Sequence, residues 1–158
     1  MNGHETLLRK FIEESNKIEG IERAPTVGEL SITKEFWAKI NINVNDVVAL
    51  VKVYEPKAVL RDKSGLDVRV GDYLPPKGSP QIFSDLSALV SSVNDDKLSP
   101  YLLHQSYEAI HPFTDGNGRS GRALWAWHML NWNYSPGVAL GFLHTWYYQS
   151  LAQDRDTQ

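Results

Sequence analysis

One glycine-rich run divides the helical part of this sequence. It spans residues 111–122 and reads His-Pro-Phe-Thr-Asp-Gly-Asn-Gly-Arg-Ser-Gly-Arg. On both sides of it, apolar residues recur every three or four positions, which is typical of amphipathic helices. Closely spaced glycines interrupt such a pattern. The sequence therefore predicts a loop that joins two packed helices, and the rest of the fold has to be arranged around them.

Further helices are predicted along most of the chain. Residues 5–18 have helical hydrophobic spacing and are followed by Gly20, a typical helix stop. Thr26 and Glu29 have the spacing of a capping box, and Asn45 is expected to cap the next helix. Later helices are expected to begin near Gln81, Pro100 and Leu140.

Residues 58–74 have a different pattern. Two short apolar runs flank Lys63-Ser64-Gly65, which is typical of a β-hairpin. The prediction is thus a mainly α fold with one small β-hairpin. At 158 residues, the chain has the length of a single domain, which we expect to span residues 1–158.

Composition excludes several classes of function. The net charge is −3 and no block is rich in Lys or Arg, so we expect neither a nucleic acid nor a membrane as a partner. The absence of cysteine excludes disulfides and thiol catalysis, and fits a reducing compartment. No apolar run approaches about 18 residues, and the first residues do not resemble a leader. We expect a soluble, cytoplasmic protein.

The glycine-rich run has the residues of an anion site. Gly116, Asn117 and Gly118 can adopt the positive φ angles that turn successive N–H groups inward, next to a helix N-terminus. Arg119 and Arg122 follow at a spacing that places them on one helix face, where both can reach a polyphosphate. Phosphate is the expected ligand.

Two further side chains of this run could perform chemistry. Asp115 is placed to hold Mg²⁺ together with substrate phosphates. His111 ends the preceding helix and can accept a proton near pH 7, which makes it the candidate general base. The alternative is that residues 115–118 form a plain surface turn and that the His and Arg side chains only cap helix ends.

The whole run resembles the signature of the Fic family, H-x-F-x-[DE]-G-N-G-R-x-x-R, at every fixed position. The resemblance implies a helical bundle with the signature between two central helices, and a β-hairpin flap, here about residues 58–74, that clamps the target. It also implies transfer of AMP from ATP to a Ser, Thr or Tyr hydroxyl of a protein, or of this chain itself. Related kinases of the family carry Lys where this chain has Gly118, which favours nucleotidyl transfer.

The resemblance implies a role for each signature residue. His111 would deprotonate the target hydroxyl, and Asp115 would bind Mg²⁺ between the α- and β-phosphates. The phosphate ligands would be Gly116, Asn117 and Gly118 in the loop, Arg119 at the β-phosphate and Arg122 at the γ-phosphate. Tyr147 and Tyr148 resemble a tyrosine pair near the adenine in some members, although two core aromatic residues would look the same.

A second resemblance concerns the predicted helix at residues 5–20. Ser15 and Glu19-Gly20 match the family's inhibitory motif, [ST]-x-x-x-E-[GN]. The resemblance implies that Glu19 pairs with Arg122 and keeps the γ-phosphate out of its productive position. The alternative is an ordinary helix end. In some members such a glutamate supports removal of AMP instead.

Other functions stay open at this point. The chain could transfer another phosphate-containing group or remove AMP from a modified protein. An alternative from a different class of function is a nucleotide-binding interaction module without transfer activity, or a toxin-like partner of a second protein.

Overall fold

Six helices form most of the molecule. The computed structural model describes residues 3–95 and 97–131. In chain order the helices are α1 (Gly3–Ile18), α2 (Val27–Trp37), α3 (Val44–Tyr54), α4 (Pro80–Asn94), α5 (Pro100–Ile110) and α6 (Asn117–Asn131). The mainly helical prediction is confirmed. The helix predicted from Leu140, with Tyr147 and Tyr148, lies outside the described residues.

Within the described ranges, no helix combines the length and the apolar character needed to cross a membrane.

Helix α6 lies at the centre of the bundle. It packs against α1, α2, α3 and α5, and all its side chains from Arg119 to Met129 are buried. A helix that is buried on every side is a core helix. The indole N–H of Trp127 donates to the Lys39 carbonyl at 2.9 Å, and that of Trp37 donates to the Ala123 carbonyl at 3.1 Å. Packing on all sides therefore fixes the helix that follows the signature loop.

Side-chain caps set the helix starts. Thr26 and Glu29 form the predicted capping box at α2. The expected cap at Asn45 is wrong, since Asn43 caps α3 by accepting from the Asp46 N–H at 2.9 Å, and Asp46 accepts in return from the Asn43 N–H. The helix begins earlier than predicted because its apolar face already starts at the buried Val44.

The predicted β-hairpin at residues 58–74 is not confirmed. In the described chain this segment forms two isolated bridges, one from Leu60 to Phe113 and one from Val70 to Tyr73. The first apolar run therefore pairs with the signature loop and not with the second run. The side chain of Phe113 is 1% exposed, so its burial draws this loop onto residues 59–61.

A buried hydrogen bond joins α5 to α6 beside the signature loop. The Tyr107 hydroxyl lies 2.7 Å from Ser120 Oγ, which also donates to the Gly116 carbonyl at 2.7 Å. Removing this hydroxyl in Tyr107→Phe should lower the free energy of unfolding by about 1 kcal/mol, because a buried hydrogen bond is lost without a large change in volume. Urea denaturation measures the change. The exposed Tyr101 provides the control, and a Tyr107→Phe midpoint equal to that of Tyr101→Phe would contradict the prediction.

Candidate active site

His111 ends α5 in an unusual backbone conformation. Its φ is +49° and its ψ is +63°, and its N–H donates to the Tyr107 carbonyl at 3.0 Å. Among the described residues other than glycine, only His111 has a positive φ. This left-handed region costs energy for a residue with a Cβ and is found where the surrounding structure enforces it. The helix therefore ends abruptly at the candidate base.

The environment of His111 favours the neutral imidazole. Burial lowers its pKa, and the positive charge of Arg61 lowers it further. A hydrogen bond from the ring to the Glu108 backbone carbonyl, and the charges of Asp115 and Glu19, act weakly in the opposite direction. Because one ring nitrogen is engaged at Glu108, the other is left as the acceptor, as a general base requires.

The glycine-rich turn differs from the expected nest. Gly116 has a φ of +77°, as predicted, but Asn117 and Gly118 do not have positive φ and instead form the first turn of α6. The Asn117 side chain closes the loop, since its Oδ1 accepts from the Phe113 N–H at 2.9 Å and its Nδ2 donates to the Phe113 carbonyl at 2.8 Å. The backbone N–H groups at the start of α6 remain suited to an anion, because the first turn of a helix has no intrahelical acceptors for them.

Asp115 could help to hold Mg²⁺ if a bound nucleotide supplied further oxygen ligands. Its Oδ1 accepts from the Gly116 N–H at 2.8 Å, and the residue faces a cavity that Glu55 also lines. The described residues contain no cluster of three or more acidic, His or Cys side chains that could hold a metal ion. Mg²⁺ commonly takes one or two carboxylates and completes its shell with phosphate oxygens and water. The side chains present fit that mode.

Arg122 is held by the end of α1. Its Nη2 lies 2.7 Å from Glu19 Oε1, and it donates to Ser15 Oγ from Nε at 2.9 Å and to the Ser15 carbonyl from Nη2 at 3.0 Å. The contact expected between Glu19 and Arg122 is thus present. A Cβ on Gly118 would overlap with Glu19 Oε1, so the missing side chain leaves room for this carboxylate.

Arg119 has carboxylate partners that sequence reasoning missed. It forms an ion pair with Glu55, and its Nη1 lies 3.9 Å from Oε2 of the buried Glu29. Its guanidinium also lies 5.3 Å from the Tyr54 ring centre. Glu29 carried a sequence signal only as a capping residue, and Glu55 carried none. Both signature arginines are therefore buried and paired with acids.

One cavity of about 680 Å³ brings most of the predicted residues together. Its walls come from the end of α1, the residues after α3, the segment before α4 and the signature loop. They are Glu19, Ile21, Glu55, Val68, Arg69, Val70, His111, Thr114, Asp115, Gly116, Asn117, Gly118 and Arg119. Arg122 lines a neighbouring cavity of about 310 Å³, which shares Glu19, Val70, His111 and Gly118 with the first.

A family model described as Fic/DOC matches residues 42–129, more than half of the 158-residue chain. The chain belongs to the Fic/DOC family. The matched range contains α3, α4, α5 and the whole signature run. Members of this family are generally transferases, which supports an enzymatic function. Helix α1, which contains Ser15, and Glu19 directly after it both precede the matched range.

The Fic/DOC protein also has two titratable groups in the smaller cavity that no motif indicated. Burial raises the pKa of the Glu108 carboxyl to about 7, and Glu19 adds to that effect while Arg122 opposes it. Burial lowers the pKa of His104 to about 3, with a further contribution from Arg122. His104 Nε2 lies 3.7 Å from Glu108 Oε1, but the neutral imidazole makes this a contact between a carboxyl and an uncharged ring.

The raised pKa of Glu108 predicts a specific pH dependence of stability. The folded protein holds this proton more tightly than the unfolded chain, so the stabilisation is complete below the ordinary pKa of 4.5 and is lost as the pH rises to about 7. The variant Glu108→Gln has no titrating carboxyl at this position and therefore lacks this pH-dependent stabilisation. The difference in free energy of unfolding between the parent protein and the variant should therefore fall between about pH 5 and about pH 7 and stay constant above.

Urea denaturation of both proteins across this pH range measures the difference. His104 contributes with the opposite sign but is present in both proteins, so its contribution largely cancels. A difference that is independent of pH would show that Glu108 titrates normally.

Proposed function

We propose that this Fic/DOC protein is an Mg²⁺-dependent protein adenylyltransferase that is restrained by its own α1. The observation that carries the proposal is the shared cavity, where His111, Asp115 and the start of α6 face one another. A base, a carboxylate and a cluster of backbone N–H groups are the parts that phosphoryl-group chemistry requires.

The proposed reaction transfers AMP to a hydroxyl of a protein. The Ser, Thr or Tyr hydroxyl gives its proton to His111 while its oxygen attacks the α-phosphorus of ATP. A new oxygen–phosphorus bond forms, the bond between the α-phosphorus and its bridge to the β-phosphate breaks, and pyrophosphate leaves. The neutral state of His111 supports this role, since a protonated imidazole could not accept the hydroxyl proton.

The remaining signature residues would bind the triphosphate. Gly116, Asn117 and Gly118 offer backbone N–H groups to the phosphates, and Arg119 and Arg122 would contact the β- and γ-phosphates. Asp115 would hold Mg²⁺, which neutralises phosphate charge when it is bound. We place Tyr147 and Tyr148 near the adenine on the family resemblance alone.

The target protein would dock along residues 68–70, which form one wall of the cavity. We assign the flap of the family to the segment 58–74, and an extended target segment could pair with its backbone there. A hydroxyl of the same chain would be modified by the same geometry, so we expect auto-AMPylation as well.

The restraint would act through Arg122. The Glu19 carboxylate occupies the position on this guanidinium that the γ-phosphate would take, so ATP can bind productively only after Glu19 moves. The space above Gly118 supports this reading, because a side chain at that position, such as the Lys of the related kinases, would require the Glu19 carboxylate to move.

A second candidate reaction is removal of AMP from a modified protein. Glu19 lines both cavities beside His111, where its carboxylate could orient a water molecule for attack on the phosphorus. An AMP-modified substrate incubated with the unaltered chain tests this reaction, and release of AMP would support it.

The position of the radioactive label in ATP tests the proposed chemistry. Glu19→Gly is incubated with a cell lysate and Mg²⁺, and with ATP labelled at either the α- or the γ-phosphate. AMP transfer predicts protein-bound label from α-labelled ATP only. Label from the γ-position above the level given by Glu19→Gly/His111→Ala would indicate a kinase, and no label above that level from either position would favour a binding module without transfer activity.

A further inference from the structure

The C-terminal end of α5 is capped almost entirely by a segment that lies far from it in the sequence. The last carbonyls of a helix lack intrahelical partners. Here the Ala109 carbonyl accepts from the Tyr73 hydroxyl at 2.7 Å, and the Ile110 carbonyl accepts from Arg61 Nη2 at 2.9 Å. The His111 carbonyl accepts from Arg61 Nε at 2.7 Å. The peptide carbonyls before and after the His111 Cα are therefore both held by donors from the segment that contains Arg61 and Tyr73.

Arg61 makes these contacts from a fully buried position. Its exposure is 0%, and its Nη1 donates to the carbonyls of Leu66 at 3.1 Å and Pro76 at 2.8 Å. The backbone N–H of Arg61 donates to the Pro112 carbonyl at 2.9 Å. All four side-chain hydrogen bonds thus end on backbone carbonyls.

A buried guanidinium in this setting is costly unless it is compensated. Its side-chain hydrogen bonds all go to carbonyl groups at the negative end of the α5 dipole and in the segment before α4, and the negative charge of Asp67 also favours the charged guanidinium. A neutral side chain would fill the same space at lower cost. The bonds to the Ile110 and His111 carbonyls give the arginine a more specific role, because they fix the two peptide groups that set the backbone of His111.

We propose that Arg61 is a positioning residue for His111, which holds the left-handed end of α5 so that the imidazole faces the cavity. This inference rests on the proposed role of His111 as base. Among the described residues, no hydrogen bond joins Arg61 to the turn at Gly116 or to the first turn of α6, so we expect its effect on the transfer step and not on nucleotide affinity.

The test compares Arg61→Lys and Arg61→Met in the Glu19→Gly background. Lysine keeps the charge but donates from a single nitrogen atom. It therefore cannot reach the carbonyls at the end of α5 and those before α4 at the same time. We expect the single-turnover transfer rate to fall on the order of 100-fold in Arg61→Met and about tenfold in Arg61→Lys, as for other small misplacements of reacting groups. The Kd for ATP should change less than about threefold in both variants.

Asn94→Ala is the matched control for lost stability. Asn94 exchanges two hydrogen bonds with the Ile42 backbone, at 3.0 and 2.6 Å, and lies on α4 away from the cavity. This variant should be less stable than its parent, yet transfer per folded molecule should be unchanged. If Asn94→Ala slows transfer as much as Arg61→Lys does, the effect is general destabilisation and the proposal is overturned.

A second readout does not depend on activity. The imidazole resonances of His111 in NMR spectra, assigned by comparison with His111→Ala, should move in Arg61→Lys while those of His128 stay in place. Unchanged His111 resonances together with an unchanged transfer rate would overturn the proposal. If Glu19→Gly transfers no label at all, the proposed function fails, and the NMR comparison still decides whether Arg61 positions His111.

Discussion

Replacing Glu19 with glycine is expected to raise protein labelling from α-labelled ATP about 10–100-fold. The variant removes a charge-assisted hydrogen bond to a buried guanidinium, a contact generally worth about 1.5–3 kcal/mol, and each 1.4 kcal/mol is about a factor of ten. Glu19 follows the last residue of α1, so glycine does not interrupt the helix. Initial labelling rates of equal amounts of folded protein measure the effect.

Glu22→Gly is the matched control for this variant. Glu22 is exposed, lies three residues further along the chain and carries the same charge. It should leave labelling at the level of the parent protein. Equal labelling by Glu19→Gly and its parent, with ATP bound to both, would contradict the restraint, and stimulation by both Gly variants would trace it to net charge.

Replacing His111 with alanine is expected to cause the largest loss. In the Glu19→Gly background, transfer should fall by about 10²–10⁴-fold, the usual contribution of a positioned general base. The Kd for ATP should remain nearly unchanged, because the phosphates are assigned to the start of α6 and the arginines, and Mg²⁺ is assigned to Asp115. Single-turnover kinetics and equilibrium binding separate the two effects.

A second variant separates loss of the base from loss of backbone geometry. Asparagine tolerates the left-handed conformation better than other residues with a Cβ but cannot serve as a base near neutral pH. His111→Asn should therefore be as inactive as His111→Ala. Transfer by His111→Asn at the parental rate would show that the backbone conformation matters and the imidazole does not.

Local patterns in the sequence predicted much of the helical framework. The capping box at Thr26 and the stops at Gly20 and His111 involve residues within a few positions of one another, so spacing alone revealed them. The cap of α3 was misplaced by two residues because Asn43 and Asn45 are equally suitable caps, and only the burial of Val44 decides between them.

Contacts distant in sequence could not be predicted in the same way. The first run of the expected hairpin bridges Phe113, more than fifty residues later, and the buried side chain of Phe113 determines that pairing. The partners of the signature were equally hidden, because single charged residues such as Glu55, Arg61 and Glu108 follow no period. The contact of Glu19 with Arg122 could be anticipated only because a family motif links two segments about a hundred residues apart.

The central claim is that His111 transfers AMP in a site that Glu19 restrains. The most direct measurement compares protein-bound label from α-labelled ATP in the unaltered chain, Glu19→Gly and Glu19→Gly/His111→Ala, at equal protein concentration with Mg²⁺ and a cell lysate. We predict weak label in the first, strong label in the second and none above background in the third. Equal label in the second and third would contradict the account.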